Sequence, residues 1–386
     1  MISLVINAGS SSIKFQVFDD EKVLLKGLVE EIGLSNSKIK IGFPQKSENL
    51  IALKNHADAL LEVIEILKQY IKIEDIECVI HRVVHGGETF RNTVIITDEV
   101  IDKLVELIPL APLHNPPNIE GIRLMKELMP DVKEVAVFDT AFHSTIPEHA
   151  YLYGIPYALY KKHKIRKFGF HGSSHKYVSR EAIKKLEKSG IKNSKIISCH
   201  LGNGSSICAI KDGKSIDTSM GFTPMQGSIM GTRCGLIDPS IPQYLMDVEN
   251  LSSKEVSNIL NKKSGLLGLS EISSDMRILE EKIAEPGAKR AIDVFCYRLK
   301  KLIGGYIVAL GGIDAIIFTG GIGENSSLVR ESICSSLEFL DLELDKNANK
   351  SSQEIISTNT SRVKAFVIRT NEELQMVREA KELLDK

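Results

Sequence analysis

Leu4-Val-Ile-Asn-Ala-Gly-Ser-Ser-Ser-Ile-Lys-Phe15 is the stretch that decides how the chain folds. Leu4 to Ile6 is apolar, Asn7 to Ser12 reads as a turn, and Ile13 to Phe18 alternates apolar and polar residues like a returning strand. Leu201-Gly-Asn-Gly-Ser-Ser-Ile207 echoes it about half a chain later. Each segment follows an apolar run and precedes another, so each reads as strand, small-residue hairpin and strand. Two such units predict two similar halves.

Outward from the first hairpin, Val23 to Val29 continues as a third strand. Asp58 to Tyr70 carries Leu60, Leu61, Ile64 and Leu67 at helical spacing. Val79 to Val84 reads as a strand, Val100 to Ile108 and Asn118 to Leu128 as helices, and Val135 to Phe138 as a short buried strand. Pro109 fits a stop after the first of these helices. A second β-rich unit begins at Ile196, and a long helical region spans roughly residues 240 to 310. Ala315 to Phe318 and Ala365 to Ile368 read as strands, and Glu372 to Leu384 as the last helix. The class is α/β.

The chain has 386 residues, enough for two domains each with its own core. A formal net charge of −1 leaves no global field to draw it to nucleic acid or an anionic membrane, so any bound anion is held by local charges. The apolar run Leu302 to Ile317 is broken by Gly304, Gly305, Gly311, Gly312 and Asp314, and no run approaches the roughly 18 residues of a membrane span. Met1 to Asn7 has neither a basic region nor a cleavage site, which predicts a cytoplasmic protein. Cysteines 78, 199, 208, 234, 296 and 334 form no CxxC pair and read as small buried hydrophobes in a reducing compartment.

Asn7 to Ser12, Gly202 to Ser206 and Gly320 to Ser326 are small-residue turns. Without bulky side chains, backbone N–H groups can approach phosphate oxygens closely. One such turn is an ordinary hairpin; three at strand ends point to a nucleotide. Gly213-Lys214-Ser215 has the tail of a Walker A loop, but Cys208 stands where its leading glycine belongs. Gly321-x-Gly323-x-x-Ser326, with Asp341 about 20 residues on, keeps a dinucleotide-binding dehydrogenase in play.

Charged residues sit at strand ends and in loops. Arg82 and Asp139 end apolar runs, His114 lies in a proline-bounded loop, His171 and His175 share Phe168-Gly-Phe-His-Gly-Ser-Ser-His175, and Arg233 lies between glycines. An arginine fork in a glycine-rich loop suits carboxylate or phosphate, against a plain surface salt bridge. His81 and His85 are four apart on a strand with no Glu at position 82, so zinc-protease chemistry is disfavoured and hydrogen-bonded structural roles are expected. Together these residue types suit phosphoryl transfer, in which cationic and neutral donors surround the migrating group.

The ordered set Val5 to Lys14, His81 to Glu88, Ala111 to Pro117, Phe138 to His143, Phe170 to His175, His200 to Ser206, Met230 to Gly235, Gly321 to Asn325 and Thr370 to Leu374 resembles the acetate kinase family over essentially the full length. Ser173 stands where that family commonly has threonine and Gly320 where it has alanine, and neither removes a reacting group. The resemblance implies two ribonuclease-H-like domains, each with a βββαβαβα-type core, facing a nucleotide cleft. Closure around the substrates is expected, since an open cleft would leak the phosphoryl group to water. It implies residues 1–148, completed by a helix at 374–386, as one domain, and 149–373 as a nucleotide-binding and dimerisation domain. It implies reversible transfer between ATP and acetate with Mg2+, for which Mn2+ substitutes, in a homodimer.

By motif position the resemblance places Asn7 and Glu372 at the metal. Arg82 binds the acetate carboxylate, while Val84, Leu113, Phe170 and Pro224 line its methyl group. Asp139 is the active-site acid, orienting the metal or its water, and His171 and Arg233 stabilise the transition state. Lys14, His200, Leu201, Gly202, Asn203, Gly204, Asp275, Met276, Arg277, Gly321, Ile322, Gly323, Glu324 and Asn325 surround the nucleotide. Propionate or butyrate kinase is the nearest rival. A non-catalytic ATP-driven switch is the rival from another class, and it leaves Arg82, His171 and Arg233 without a purpose.

Overall fold

The computed structural model describes residues 1–9, 11–34 and 36–386. The chain divides into two compact units, Met1–Ser144 with Asn371–Lys386, and Thr145–Thr370. The sequence boundaries stood at 148 and 373. Thr145 donates from its hydroxyl to the Ser215 carbonyl at 2.7 Å, which ties residues after 144 to the second unit. Asn371 caps the last helix by accepting from the Leu374 N–H, which ties residues after 370 to the first.

The first unit is an eight-stranded sheet in the order β5-β4-β3-β2-β1-β6-β8-β7. Its strands are β1 (Ile2–Ala8), β2 (Ser12–Asp19), β3 (Lys22–Glu30), β4 (Lys38–Phe43), β5 (Ser47–Leu50), β6 (Cys78–Val83), β7 (Val94–Ile95) and β8 (Lys133–Phe138). The first five form an antiparallel meander, and β1, β6 and β8 run parallel. Leu4, Ile6, Phe15 and Val17 pack with Leu60, Val63 and Leu67 of the helix His56–Leu67. A second cluster joins Val83, Ala136 and Phe138 to Phe90, Ile101, Leu104 and Ile122. The last helix, Glu372–Leu384, returns to pack on β1, β6 and β8, burying Leu374, Met376, Val377 and Ala380.

The second unit has a five-stranded sheet in the order β11-β10-β9-β12-β13. Its strands are β9 (Lys195–Leu201), β10 (Ser205–Lys211), β11 (Lys214–Thr218), β12 (Ala315–Thr319) and β13 (Lys364–Val367). Three antiparallel strands are again followed by two parallel ones. This repeats the pattern β3-β2-β1-β6-β8, and the echoed segments occupy the hairpins β1–β2 and β9–β10. Ile197, Cys199 and Leu201 of β9 join the core under the 25-residue helix Pro286–Leu310. The alternate residues Ser198 and His200 face the other way, where the helix Gly172–Lys188 packs on β9 and β12.

Three local readings change. β1 runs on through Asn7, which pairs with Lys14, because Ala8 is still buried in the core. The helix read from Asn118 starts at Asn115, with Pro116 and Pro117 in its first turn, where a missing N–H costs nothing. Pro109 falls within a short 3-10 turn, Ile108–Leu110, beyond the end of the preceding helix at Glu106. The strands β4 and β5 and the helix Gly172–Lys188 add to the elements read from sequence. Among the described residues no helix is long and apolar enough to cross a membrane.

Candidate active site

In the first unit the ends of parallel strands gather the charged residues. Arg82 on β6 and Asp139, just beyond β8, form a two-pronged ion pair. Nη2 of Arg82 donates to Oδ2 at 2.6 Å and Nε to Oδ1 at 2.9 Å, while Nη1 donates to Oδ1 of Asn7 on β1 at 3.2 Å. Burial works against charge on Arg82, but the Asp139 carboxylate, with Glu372 and Glu373 behind it, holds the guanidinium protonated above its ordinary range. The neighbouring backbone is fixed. Asn118 donates to the Ala8 carbonyl at 2.7 Å and accepts from the Val84 N–H at 3.1 Å, and Thr140 accepts from the Gly86 N–H at 3.1 Å.

Glu372, in the first turn of the last helix, is pushed up to about 7. Burial is the main cause; Arg82 opposes it, and Asp139 and Glu373 reinforce it. A carboxylate so placed is short of positive charge. Together with the Asn7 amide oxygen it fits Mg2+, which takes oxygen ligands, keeps several waters and binds through one or two carboxylates plus substrate phosphates. Among the described residues no cluster of three His, Cys, Asp or Glu side chains offers a fuller metal cage. Lys14 is drawn into an ion pair with Glu373. Val84 is half-buried, and Leu113 is 75% exposed.

In the second unit His171 precedes the helix Gly172–Lys188 with φ +57°, a left-handed conformation that a non-glycine residue adopts at a cost and that is enriched at functional sites. Its Nδ1 bonds to Oγ of Ser206 at 2.9 Å, and its ring stacks on His200 with centroids 4.3 Å apart. The Arg233 loop is pinned by main-chain bonds from Leu266 N–H to the Met230 carbonyl and from Ser264 N–H to the Thr232 carbonyl. Nη1 of Arg233 donates to the Pro224 carbonyl at 2.6 Å, and burial lowers its proton affinity. A Cβ built at Gly204 would lie 3.1 Å from Nη2 of Arg233 and 3.4 Å from Nε2 of His171. Both groups therefore converge on the open side of that glycine. Phe170 is buried and Pro224 half-buried.

A pocket of ≈ 370 Å³ opens beside the same hairpin. Gly202, Asn203, Asp275, Met276, Arg277, Gly321, Ile322 and Asn325 of the sequence-derived nucleotide set line it, joined by Ser274, Glu280 and Ser326. Gly320, at φ +76°, turns the chain from β12 into the helix Gly320–Asn325; a Cβ there would stand 2.7 Å from the Leu201 carbonyl oxygen. Glu324 faces inward, accepting from the Gly320 and Thr370 N–H groups at 3.0 and 3.3 Å. Asp341, which the dinucleotide reading required for a ribose, pairs with Arg362.

Sequence reasoning passed over the serines that hold the histidines. Ser174 bonds Nδ1 of His200 at 2.8 Å, Ser198 bonds Nδ1 of His175 at 2.9 Å, and Ser206 also bonds Nε2 of His175 at 2.7 Å. The signal was the alternation in β9, where serine and histidine interrupt an apolar strand on one face only.

Two units of one sheet pattern, with an arginine–carboxylate cluster in the first and a glycine-lined pocket beside His171 and Arg233 in the second, define a two-domain α/β phosphotransferase of the ribonuclease-H-like class. The chain belongs to the acetokinase family, whose model matches residues 2–378. It is 54% identical to the acetate kinase of Thermoanaerobacterium thermosaccharolyticum over 395 residues, 99% of this chain and 98% of that one. The structure of Porphyromonas gingivalis acetate kinase is 42% identical, with a TM-score of 0.94 over 99% of both chains. A propionate kinase from Francisella tularensis is also 42% identical, with a TM-score of 0.92 over 98% of both.

Proposed function

We infer that the chain catalyses the acetate kinase reaction, reversible transfer of the ATP γ-phosphoryl group to acetate, giving acetyl phosphate and ADP. An acetate oxygen forms a bond to the γ-phosphorus as the bond to the ADP oxygen breaks. The acceptor is ionised at neutral pH, so no strong general base is needed.

The geometry of Arg82 carries the reading. Its guanidinium has five N–H donors, and Asp139 and Asn7 take three of them in fixed directions. The other two are free to hold a substrate carboxylate in a set orientation. Asp139 acts by aligning that fork, and Val84, two residues on, contacts the methyl group. Arg233 and His171 donate to the equatorial oxygens of the migrating phosphoryl group, where an arginine can contribute about 10³–10⁵ in rate. The pocket at Gly202, Asn203, Asp275 to Arg277, Gly321, Ile322 and Asn325 takes the nucleotide. Mg2+, when bound, neutralises phosphate charge, and Asn7 and Glu372 would hold it.

The exposed stripe Ile241, Tyr244 and Val248 on the helix Ile241–Val248 supports assembly as a homodimer. Six free cysteines support a cytoplasmic location. Propionate is a second acceptor, because the Francisella tularensis propionate kinase matches the chain at the same 42% identity as the Porphyromonas gingivalis acetate kinase. The test is Arg82→Ala. ATP binding should persist while acetyl phosphate formation collapses; unchanged turnover would refute the assignment.

A further inference from the structure

The mechanism uses His171 as a donor but does not say which ring nitrogen carries its hydrogen. The buried serines do. Ser198 and Ser206 are fully buried. A chain of hydrogen bonds runs from Ser198 Oγ to His175 Nδ1 at 2.9 Å, from His175 Nε2 to Ser206 Oγ at 2.7 Å, and from Ser206 Oγ to His171 Nδ1 at 2.9 Å.

Each serine hydroxyl has one hydrogen to donate. Two proton arrangements satisfy the middle of the chain. In one, every hydrogen points towards His171: Ser198 donates to His175, His175 donates to Ser206, and Ser206 donates to Nδ1 of His171. In the other, every hydrogen points away. His171 donates from Nδ1, and the Ser198 hydroxyl must receive a bond from His175.

The two differ in one buried atom. Among the described residues the Ser198 hydroxyl bonds only His175, so the second arrangement leaves its hydrogen without an acceptor. A buried donor left unmade is unfavourable, and the first arrangement wins. His171 is then a neutral imidazole with its hydrogen on Nε2. The same count holds for Ser174, which is fully buried and whose hydroxyl bonds only Nδ1 of His200 among the described residues. It donates, and His200 too carries its hydrogen on Nε2.

We propose that Ser198, Ser206 and Ser174 are positioning residues that hold the stacked pair His171 and His200 as Nε2–H tautomers, presenting neutral donors beside the Arg233 cation. The proposal rests on the reading of His171 given above. Nε2 of His171 is the nitrogen that converges with Arg233 on the open side of Gly204. The opposite tautomer would turn a lone pair towards the phosphoryl oxygens. Charge then comes from Arg233, and direction from the imidazole.

Long-range proton–nitrogen correlation spectra of full-length protein labelled with nitrogen-15 histidine read the tautomers without substrate. His171→Gln and His200→Gln spectra supply the assignments. A protonated Nε2 and a bare Nδ1 are expected at both positions; a hydrogen on Nδ1 of His171 would overturn the proposal. Ser198→Ala, three hydrogen bonds from His171, should give a mixture of tautomers at His171, which a merely structural serine would not do. Ser206→Ala should lower kcat about tenfold or more, part of the roughly 10²–10³ that one oriented donor contributes. Both KM values should stay within about twofold, and Ser206→Thr should restore kcat. Wild-type tautomer and kcat in Ser206→Ala would refute the proposal. A wild-type protein with the expected tautomers but no acyl phosphate production would refute the kinase reading and leave the tautomers standing.

Discussion

Arg82 and Asp139 are joined by two hydrogen bonds, at 2.6 and 2.9 Å, and Asp139 is 2% exposed. Removing one partner strands the other. Arg82→Ala should destabilise the protein by about 3–5 kcal/mol, because it leaves a buried carboxylate uncompensated. Arg82→Met with Asp139→Leu should cost less than either single change, and denaturant unfolding of all the variants measures it. Arg82→Lys keeps the charge and loses the fork, so kcat/KM for acetate should fall by roughly 10²–10³.

Gly204→Ala separates activity from stability. Its new Cβ would enter the space between Nη2 of Arg233, at 3.1 Å, and the His171 ring, at 3.3 Å. Both neighbours are side chains at the site, so the fold can absorb the change. Steady-state kinetics should show kcat reduced by about tenfold or more, with the unfolding free energy altered by no more than about 1 kcal/mol.

Arg330 braces the loop that we propose holds the nucleotide. It is fully buried and donates to the Gly323 carbonyl at 2.9 Å, to Oδ1 and the carbonyl of Asn349 at 2.7 and 2.6 Å, and to Oγ of Ser352 at 3.0 Å. Arg330→Met removes the donor to the Gly323 carbonyl and to the Asn349 side-chain oxygen and should cost about 2–4 kcal/mol. KM for ATP should rise while KM for acetate stays unchanged. Equal effects on both would detach Arg330 from the nucleotide.

His85 makes stability depend on pH. It is fully buried, and its Nδ1 accepts from the Gly87 N–H at 3.0 Å. Burial lowers it from the ordinary 6.5 to about 4. The folded chain therefore resists a proton that the unfolded chain takes up below about pH 6.5. The contribution is complete above that value and is lost as pH falls towards 4, approaching about 3 kcal/mol. His85→Asn keeps an acceptor for Gly87 and removes the titration. Its unfolding free energy should fall less steeply between pH 6.5 and 4.5.

The hairpins were legible in the sequence because small residues between apolar runs admit little else, and their echo carried the repeated sheet pattern. Arg82, Asp139 and Arg233 were legible because a charge at a strand end or between glycines is poorly explained by packing. Their partners were not. That Arg82 bonds Asn7 and Asp139 depends on β1, β6 and β8 lying side by side, which no local pattern states. The start of the helix Gly172–Lys188 was masked by its own composition, since Gly-Ser-Ser reads as a loop until His175, Val178 and Ala182 are seen to be buried on one face. Ser198 and Ser206 look like ordinary strand residues until that helix covers them.

The most direct test of the account is kcat/KM with MgATP for formate, acetate, propionate and butyrate, read by trapping the acyl phosphate as its hydroxamate. Acetate should give the highest value. Propionate should follow, lower by roughly tenfold or more and still measurable, since one methylene changes binding by only about 1–3 kcal/mol. A clear preference for butyrate, or no acyl phosphate from any of the four acids, would contradict the account.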